Sequence, residues 1–207
     1  MRSMNTGDTT LRGLFLALTC AVATASVADF DKTDEGRRLL DAILTDDVDE
    51  FERAIDDGAN VNAVVAKFEK GWSMCAATQP GKEHFLRALL YHGAEPDLVN
   101  PHDSAVGLPT VCSMVNGNLA AFDILIEAGA DPHLFGSGQT SLYVTALQLG
   151  NFDIGLRFLE IIQPSHEDMV YTKEMIEGPG TLQSPRTEAL AAHIEARGIP
   201  VQLPPRR

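Results

Sequence analysis

The stretch Leu125-Ile126-Glu127-Ala128-Gly129-Ala130-Asp131 decides the fold, because related stretches recur upstream at nearly constant spacing. They end in Gly58-Ala59-Asn60 and Gly93-Ala94-Glu95, so the three glycines stand 35 and 36 residues apart. Apolar residues precede each glycine at the same offsets, as in Leu86, Leu89 and Leu90. This i, i+3, i+4 spacing marks one buried face of a helix. The sequence therefore predicts three equivalent helices, each ended by a glycine.

A second short apolar segment lies before each of these helices, separated from it by turn residues. The three turns are Asp46-Asp47, Pro80-Gly81-Lys82 and Asn116-Gly117-Asn118. Glycine and asparagine adopt the left-handed backbone conformation that tight turns need. Each unit is thus predicted to be a helix, a tight turn, a helix and a glycine stop.

This unit resembles the ankyrin repeat, a family with a period near 33 residues whose repeats close on Leu-Leu-x-x-Gly-Ala-Asp. The resemblance covers roughly residues 36 to 203. The Thr-Pro-Leu-His part of the family motif is weak in the first three units, which leaves the start of their first helices open. The resemblance implies an all-α solenoid of about four helical hairpins plus a terminal partial repeat.

The fourth unit departs from the family pattern. It begins with Gly138-Gln139-Thr140-Ser141-Leu142, close to the family's Gly-x-Thr-Pro-Leu, but lacks the closing Gly-Ala-Asp. We interpret residues 163–184 as a long insertion and residues 189–198 as the outer helix of the terminal repeat. Three longer connections are predicted to form finger-like loops, which we call the first, second and third fingers: Val64 to Gly71, Pro101 to Gly107 and His133 to Gly138.

Residues 1–28 have the pattern of a secretory signal peptide. Arg2 and Arg12 precede an apolar run that begins at Leu14, and small residues follow. Cleavage after Ala28 is favoured, and cleavage after Ala25 is the alternative. A retained membrane anchor and a lipoprotein modified at Cys20 also remain open, although the apolar run is shorter than the ~20 residues of a spanning helix.

We therefore divide the chain into a signal peptide (1–28), an ankyrin-repeat domain (29–203) and a C-terminal tail (204–207). The expected location is periplasmic or secreted. After signal cleavage we expect no insertion into a membrane.

Composition argues against nucleic acid as a partner. The chain has 16 Lys and Arg residues against 29 Asp and Glu residues, and its net charge is −13. Binding to phosphates depends on clustered basic side chains. The expected partner is therefore another protein, and the protein itself is expected to be a monomer.

Cys75 and Cys112 are predicted to be two buried free thiols. They fall on corresponding helices of adjacent repeats, where the backbones are expected to lie about 10 Å apart. A disulfide requires Cα atoms within ~7 Å of each other. On this reasoning the two cysteines would act as small apolar residues, although an exported protein meets an oxidising environment that favours disulfides.

Large side chains in the fingers are the candidate contacts for a partner, because aromatic residues and arginine dominate interface energetics. Phe68, Trp72 and Phe135 meet this criterion. The other candidates are polar or charged finger residues, namely Lys67, Lys70, His102 and Asp103. Each aromatic residue also has a competing interpretation as a packed side chain. Phe68 would fold under its finger, Trp72 would pack on the neighbouring repeat, and Phe135 would belong to the core.

No catalytic, metal or cofactor site is predicted. The six histidines lack close metal-ligand spacing, and His166-Glu167-Asp168 is interpreted as a surface loop. The sequence also lacks a Gly-x-Ser-x-Gly elbow and a phosphate-binding loop. We expect an exported interaction module that binds, and in one version inhibits, a specific protein such as a toxin. The alternative is a periplasmic structural or stress-protective factor that supports an envelope enzyme.

Overall fold

The structure is a computed structural model that describes residues 30–31, 34–62, 64–65, 72–100, 107–136, 140–178, 181 and 183–204. The predicted signal peptide (1–28) lies outside these residues. None of the described helices is both long enough and apolar enough to cross a bilayer.

The described residues form ten α-helices and one pair of very short strands. The strands are β1 (Phe30–Asp31) and β2 (Val64–Val65), which pair in parallel with Phe30 opposite Val64. In chain order the helices are α1 (Asp34–Thr45), α2 (Val48–Asp56), α3 (Ser73–Ala77), α4 (Glu83–Tyr91), α5 (Pro109–Val115), α6 (Leu119–Glu127), α7 (Leu142–Gln148), α8 (Phe152–Ile161), α9 (His166–Glu177) and α10 (Pro185–Glu195).

The predicted turns are formed at the expected places. Gly58, Gly93 and Gly129 end the second helix of their units with φ between 90° and 96°, a region open to glycine. Gly117 occupies the same backbone region inside the third unit, and Asp46, with φ 66°, does so in the first. Aspartate tolerates this conformation better than most residues do. The repeat seen in the sequence therefore corresponds to a repeat of left-handed backbone positions at the turns.

The ten helices pair into five antiparallel hairpins that stack in chain order. The first helices of the hairpins, which we call the inner helices, pack against each other in the series α1, α3, α5, α7 and α9. The second, or outer, helices pack in the series α4, α6, α8 and α10, and Phe51 of α2 meets Phe85 of α4 with ring centroids 5.0 Å apart. Stacking is what stabilises such short helices, which are marginal alone.

The C-terminal end differs from the sequence-based prediction of a terminal partial repeat. Part of the predicted insertion, residues 166–177, forms α9, which packs on α7 as the inner helix of a complete fifth hairpin. Its partner α10 packs on α8. The inner helix was missed because residues 163–184 carry none of the family's motif residues.

The core runs through the whole stack in two clusters, both of which contact Ile126 of the third hairpin. Within each apolar pair of the outer helices, the first residue is the more deeply buried. Leu89, Leu125 and Phe158 are fully buried, whereas the residues that follow them are only partly so. The sequence analysis identified the correct face of each helix but did not distinguish its centre from its edge.

Cys75 and Cys112 form a disulfide, which corrects the prediction of two free thiols. The bond joins inner helices α3 and α5, and the two Cα atoms are 5.3 Å apart. The distance of about 10 Å applies to helix axes and not to facing Cα atoms. Because Cα atoms lie about 2.3 Å from the axis, helices with axes about 10 Å apart bring facing Cα atoms to about 5–6 Å. The disulfide is therefore a covalent link between the second and third hairpins.

Candidate functional site

Successive finger bases are connected by one repeated hydrogen bond. The Asn62 side chain accepts from the backbone N–H of Glu95 at 2.9 Å, and Asp97 accepts from the N–H of Asp131 at the same distance. Asn62 and Asp97 each lie two residues after the closing residue of their own repeat. Each repeat thus holds the closing turn of the next one.

Among the described residues, this series of contacts does not continue at the third finger. The equivalent position there is His133, and the fourth unit has no closing Gly-Ala-Asp turn for it to hold. Residues 162–165 connect α8 directly to α9, whereas the corresponding connection between α6 and α7 comprises residues 128–141. One side of the third finger is therefore left without a neighbouring finger.

A groove of about 580 Å³ occupies this position, between the third finger, α7, the 162–165 link and α9. Phe135 lies on the finger side and is 64 % exposed; Gly136 N–H, next to it, donates to Thr140 O, which closes the finger base. Tyr171 of α9 lies on the opposite side and is 37 % exposed. Volumes of this size are typical of binding sites.

Two side-chain hydrogen bonds beside the groove connect α9 to the start and the end of α7. The Ser165 and Asp168 side chains form a capping box at the start of α9, and Ser141 Oγ donates to Asp168 Oδ1 at 3.0 Å. Gln148 Nε2 donates to Tyr171 Oη at 3.1 Å. These contacts hold the side chains of α9 in place before any partner arrives.

The groove has a negative electrostatic character. Glu167 and Asp168 of α9 contribute two carboxylates, and no lysine or arginine lines the groove within the part of the chain that the structure describes. The described lining thus carries carboxylates without a balancing lysine or arginine. Elsewhere between α7 and α9, the Tyr143 hydroxyl is buried 3.0 Å from Thr172 Oγ1, and burial raises the pKa of Tyr143.

Asp97, at the base of the second finger, carries a perturbed carboxyl group. Burial is the main cause that raises its pKa, and the nearby charge of Asp131 adds to the effect. The hydrogen bond from the Asp131 N–H acts in the opposite direction. Its Oδ1 is buried without a hydrogen-bond partner among the described residues. The contact between the base of the second finger and the closing turn of the third repeat is therefore made by a carboxyl group whose ionisation is disfavoured.

Of the seven residues predicted to contact a partner, five lie outside the described residues: Lys67, Phe68, Lys70, His102 and Asp103. Phe135 is exposed on the third finger and lines the groove. Its contact with a partner stays a prediction.

The structure corrects the expectation that Trp72 contacts a partner. Its side chain is 2 % exposed and belongs to the core of the first three hairpins. The residue stands immediately before α3 and has an extended backbone. The large apolar side chain at the N-cap of α3 thus packs in the core.

Sequence reasoning missed the groove residues of α9. Ser165 followed by Asp168 is the spacing of a capping box, which signals a helix start. That signal places Glu167, Asp168 and Tyr171 on a helix and not in a surface loop. Their position beside Phe135 depends on the stacking of α9 on α7, which no local pattern reveals.

Within the described ranges, no group of three or more His, Cys, Asp or Glu side chains is arranged to hold a metal ion.

No protein-family model matches the chain. The chain is similar to the ankyrin repeat and KH domain-containing protein mask-1 of Caenorhabditis elegans, with 26 % identity over 122 residues. The match covers 58 % of this chain and 4 % of that protein, so the chain spans only a small part of the length of its relative. This match and the stacked helical hairpins fit an ankyrin-repeat protein, and ankyrin repeats suggest a protein-interaction module.

Proposed function

We propose that this protein is an exported ankyrin-repeat solenoid that binds a specific protein partner through its fingers and inner helices, and that it is not an enzyme. The observation that carries the proposal is the open groove beside Phe135, at the end of a stack of five hairpins. Repeat stacks present extended surfaces formed by many side chains, which suit the recognition of another macromolecule.

An exposed phenylalanine supports the choice of surface. Phe135 is well outside the core although it is large and apolar. Exposed aromatic side chains are often hot spots that contribute much of the binding free energy of a protein interface. Tyr91, at the end of outer helix α4, is even more exposed at 86 %, and it provides a matched aromatic control on the outer-helix layer.

Two observations support export. The apolar run after Arg12 has the pattern of a signal peptide, and the disulfide between Cys75 and Cys112 is of a kind that persists in oxidising compartments. Binding would block a functional surface of the partner and so inhibit it, as in the neutralisation of a toxin. The net charge of −13 favours partners with a basic surface.

The test is recovery of the full, epitope-tagged chain from cells that produce it, followed by N-terminal sequencing and identification of stoichiometric co-purifying proteins. We expect the chain to begin at Asp29 and to be accompanied by one partner. Glu52→Lys combined with Glu127→Lys, two exposed residues of outer helices, should retain the partner, whereas Phe135→Ala should reduce its recovery. A chain that still begins at Met1 would remove the export claim, and absence of a stoichiometric partner would remove the binding claim.

A further inference from the structure

The groove next to Phe135 lies where a further repeat would place its closing turn. Among the residues that the structure describes, no equivalent contact from His133 follows those from Asn62 to Glu95 and from Asp97 to Asp131. Here the short 162–165 link stands in place of a closing turn. We propose that an extended segment of the protein partner, carrying an arginine, fills this position. The inference rests on the proposed function, since it assigns the chemistry of the partner for the same surface.

The shape of the groove favours an extended segment. It is bounded on one side by the described part of the third finger, where Phe135 and Ser141 form an antiparallel bridge, and on the other side by α9. A volume of about 580 Å³ accommodates a few side chains and not a domain. An extended chain lying beside a finger would occupy the place of the missing finger.

The groove chemistry favours arginine at the centre of that segment. Phe135 and Tyr171 contribute two exposed aromatic side chains to the lining, and Glu167 and Asp168 contribute two carboxylates. A guanidinium group stacks on aromatic rings and pairs with carboxylates through a planar set of donors. Lysine offers the charge without that planar geometry.

Two side chains of the groove lining are restricted by hydrogen bonds before binding. Asp168 is fixed by Ser141 and by its capping box, and Tyr171 is fixed by Gln148. Groups that are already ordered lose little conformational entropy when a ligand binds. A second copy of this chain is disfavoured as the occupant, because two molecules with a net charge of −13 repel each other.

The experiment uses the full chain, isotopically labelled with ¹⁵N, and three acetylated and amidated pentapeptides as probes. These are Gly-Val-Arg-Val-Gly, the same peptide with citrulline in place of arginine, and the same peptide with glutamate. Citrulline is the neutral counterpart of arginine with nearly the same shape. We expect the arginine peptide to bind with a millimolar or lower Kd. Its chemical-shift changes should centre on the backbone amides of Ser141, Gln148 and Tyr171.

The citrulline peptide should bind at least about tenfold more weakly, which corresponds to the loss of a charged interaction of about 1.4 kcal/mol. The glutamate peptide should not bind. Glu167→Gln and Phe135→Ala should each weaken binding of the arginine peptide by about five- to tenfold, and Tyr91→Ala should leave it unchanged. Thermal unfolding of each variant establishes that the loss is not a loss of fold.

Three results would overturn the inference: no binding at millimolar arginine peptide, equal binding of the citrulline peptide, or shift changes located away from the groove. These failures are distinct from a failure of the proposed function. A stoichiometric partner captured without any arginine preference in the groove leaves the function intact and removes this site assignment. Specific binding of the arginine peptide without a cellular partner supports this site assignment and removes the proposed function.

Discussion

At the residue scale, burial within each outer helix is graded. Leu89 is fully buried in the core, whereas the adjacent Leu90 is partly exposed at its edge. Truncating a buried leucine removes its contacts and leaves a cavity whose cost depends on how well the surroundings can collapse. Neighbouring residues of one type therefore differ in what they contribute to the free energy of unfolding.

Leu89→Ala is expected to lower the free energy of unfolding by about 3–5 kcal/mol, and Leu90→Ala by about 1–2 kcal/mol. The measurement is urea denaturation of both variants beside the parent protein. Equal midpoints for the two variants, or a larger effect at Leu90, would mean that the register of α4 against its neighbours is wrong.

The Asp97 carboxyl group predicts a pH-dependent stability. Its pKa is raised in the folded state, so ionisation there is disfavoured relative to the unfolded chain. The destabilisation is absent below the unfolded pKa, grows as the pH rises through the raised folded pKa, and is constant above it. Asp97→Asn keeps an oxygen acceptor for the Asp131 N–H but cannot ionise.

We therefore expect Asp97→Asn to be more stable than the parent protein at pH 7, with the difference shrinking toward pH 3. Urea midpoints measured across this range provide the check. A difference between the two proteins that does not change with pH would contradict the assigned ionisation behaviour.

At the element scale, hairpin turns are joined to their neighbours by asparagine side chains. Asn118 caps α6 by accepting from the Ala121 N–H, and its Nδ2 donates to the Thr78 carbonyl oxygen of the preceding hairpin at 3.0 Å. Asn151 similarly donates to the Met114 carbonyl oxygen. One side chain thus ends a turn and aligns two hairpins.

Asn118→Ala is expected to cost about 2–4 kcal/mol, because it removes a cap and leaves the buried Thr78 carbonyl without this donor. Asp47→Ala is the matched control. Asp47 caps α2 from an exposed position, and its loss should cost only about 1 kcal/mol. Similar losses for the two variants in chemical denaturation would show that the contact between hairpins contributes little.

Local elements differ in how well the sequence predicts them. The glycine-terminated outer helices were predictable because left-handed glycines and apolar spacing are local signals, repeated three times. Helix α9 and strand β1 were not predicted, because α9 lacks the motif residues and the pairing of Phe30 with Val64 joins segments distant in sequence. The loop context of Phe135 left a core position and an exposed position equally open, and the structure shows it exposed. The groove beside it depends on where α9 packs.

At the scale of the whole molecule, the stack is held by neighbour contacts and by one covalent link. The disulfide joins Cys75 and Cys112, which are 37 residues apart in the chain. Closing a loop of this length restricts the unfolded chain and stabilises the folded state by about 3–4 kcal/mol in the chain-entropy description.

Replacing both cysteines by alanine, or reducing the protein, is expected to lower the free energy of unfolding by about this amount. Urea denaturation with and without reductant gives the value, and mass spectrometry under non-reducing conditions should recover linked peptides containing Cys75 and Cys112. Alkylation of both cysteines in unreduced protein would contradict the disulfide.

The most direct test of partner binding through the finger side is site-specific photo-cross-linking in cells that produce the protein. A benzoylphenylalanine is placed at position 135, on the third finger, or at position 91, on the outer-helix layer; Phe135 and Tyr91 are both exposed aromatic residues. The predicted result is one discrete cross-linked partner from position 135 and none from position 91. Cross-links from position 91 alone, or from neither position, would contradict recognition by the fingers and inner helices.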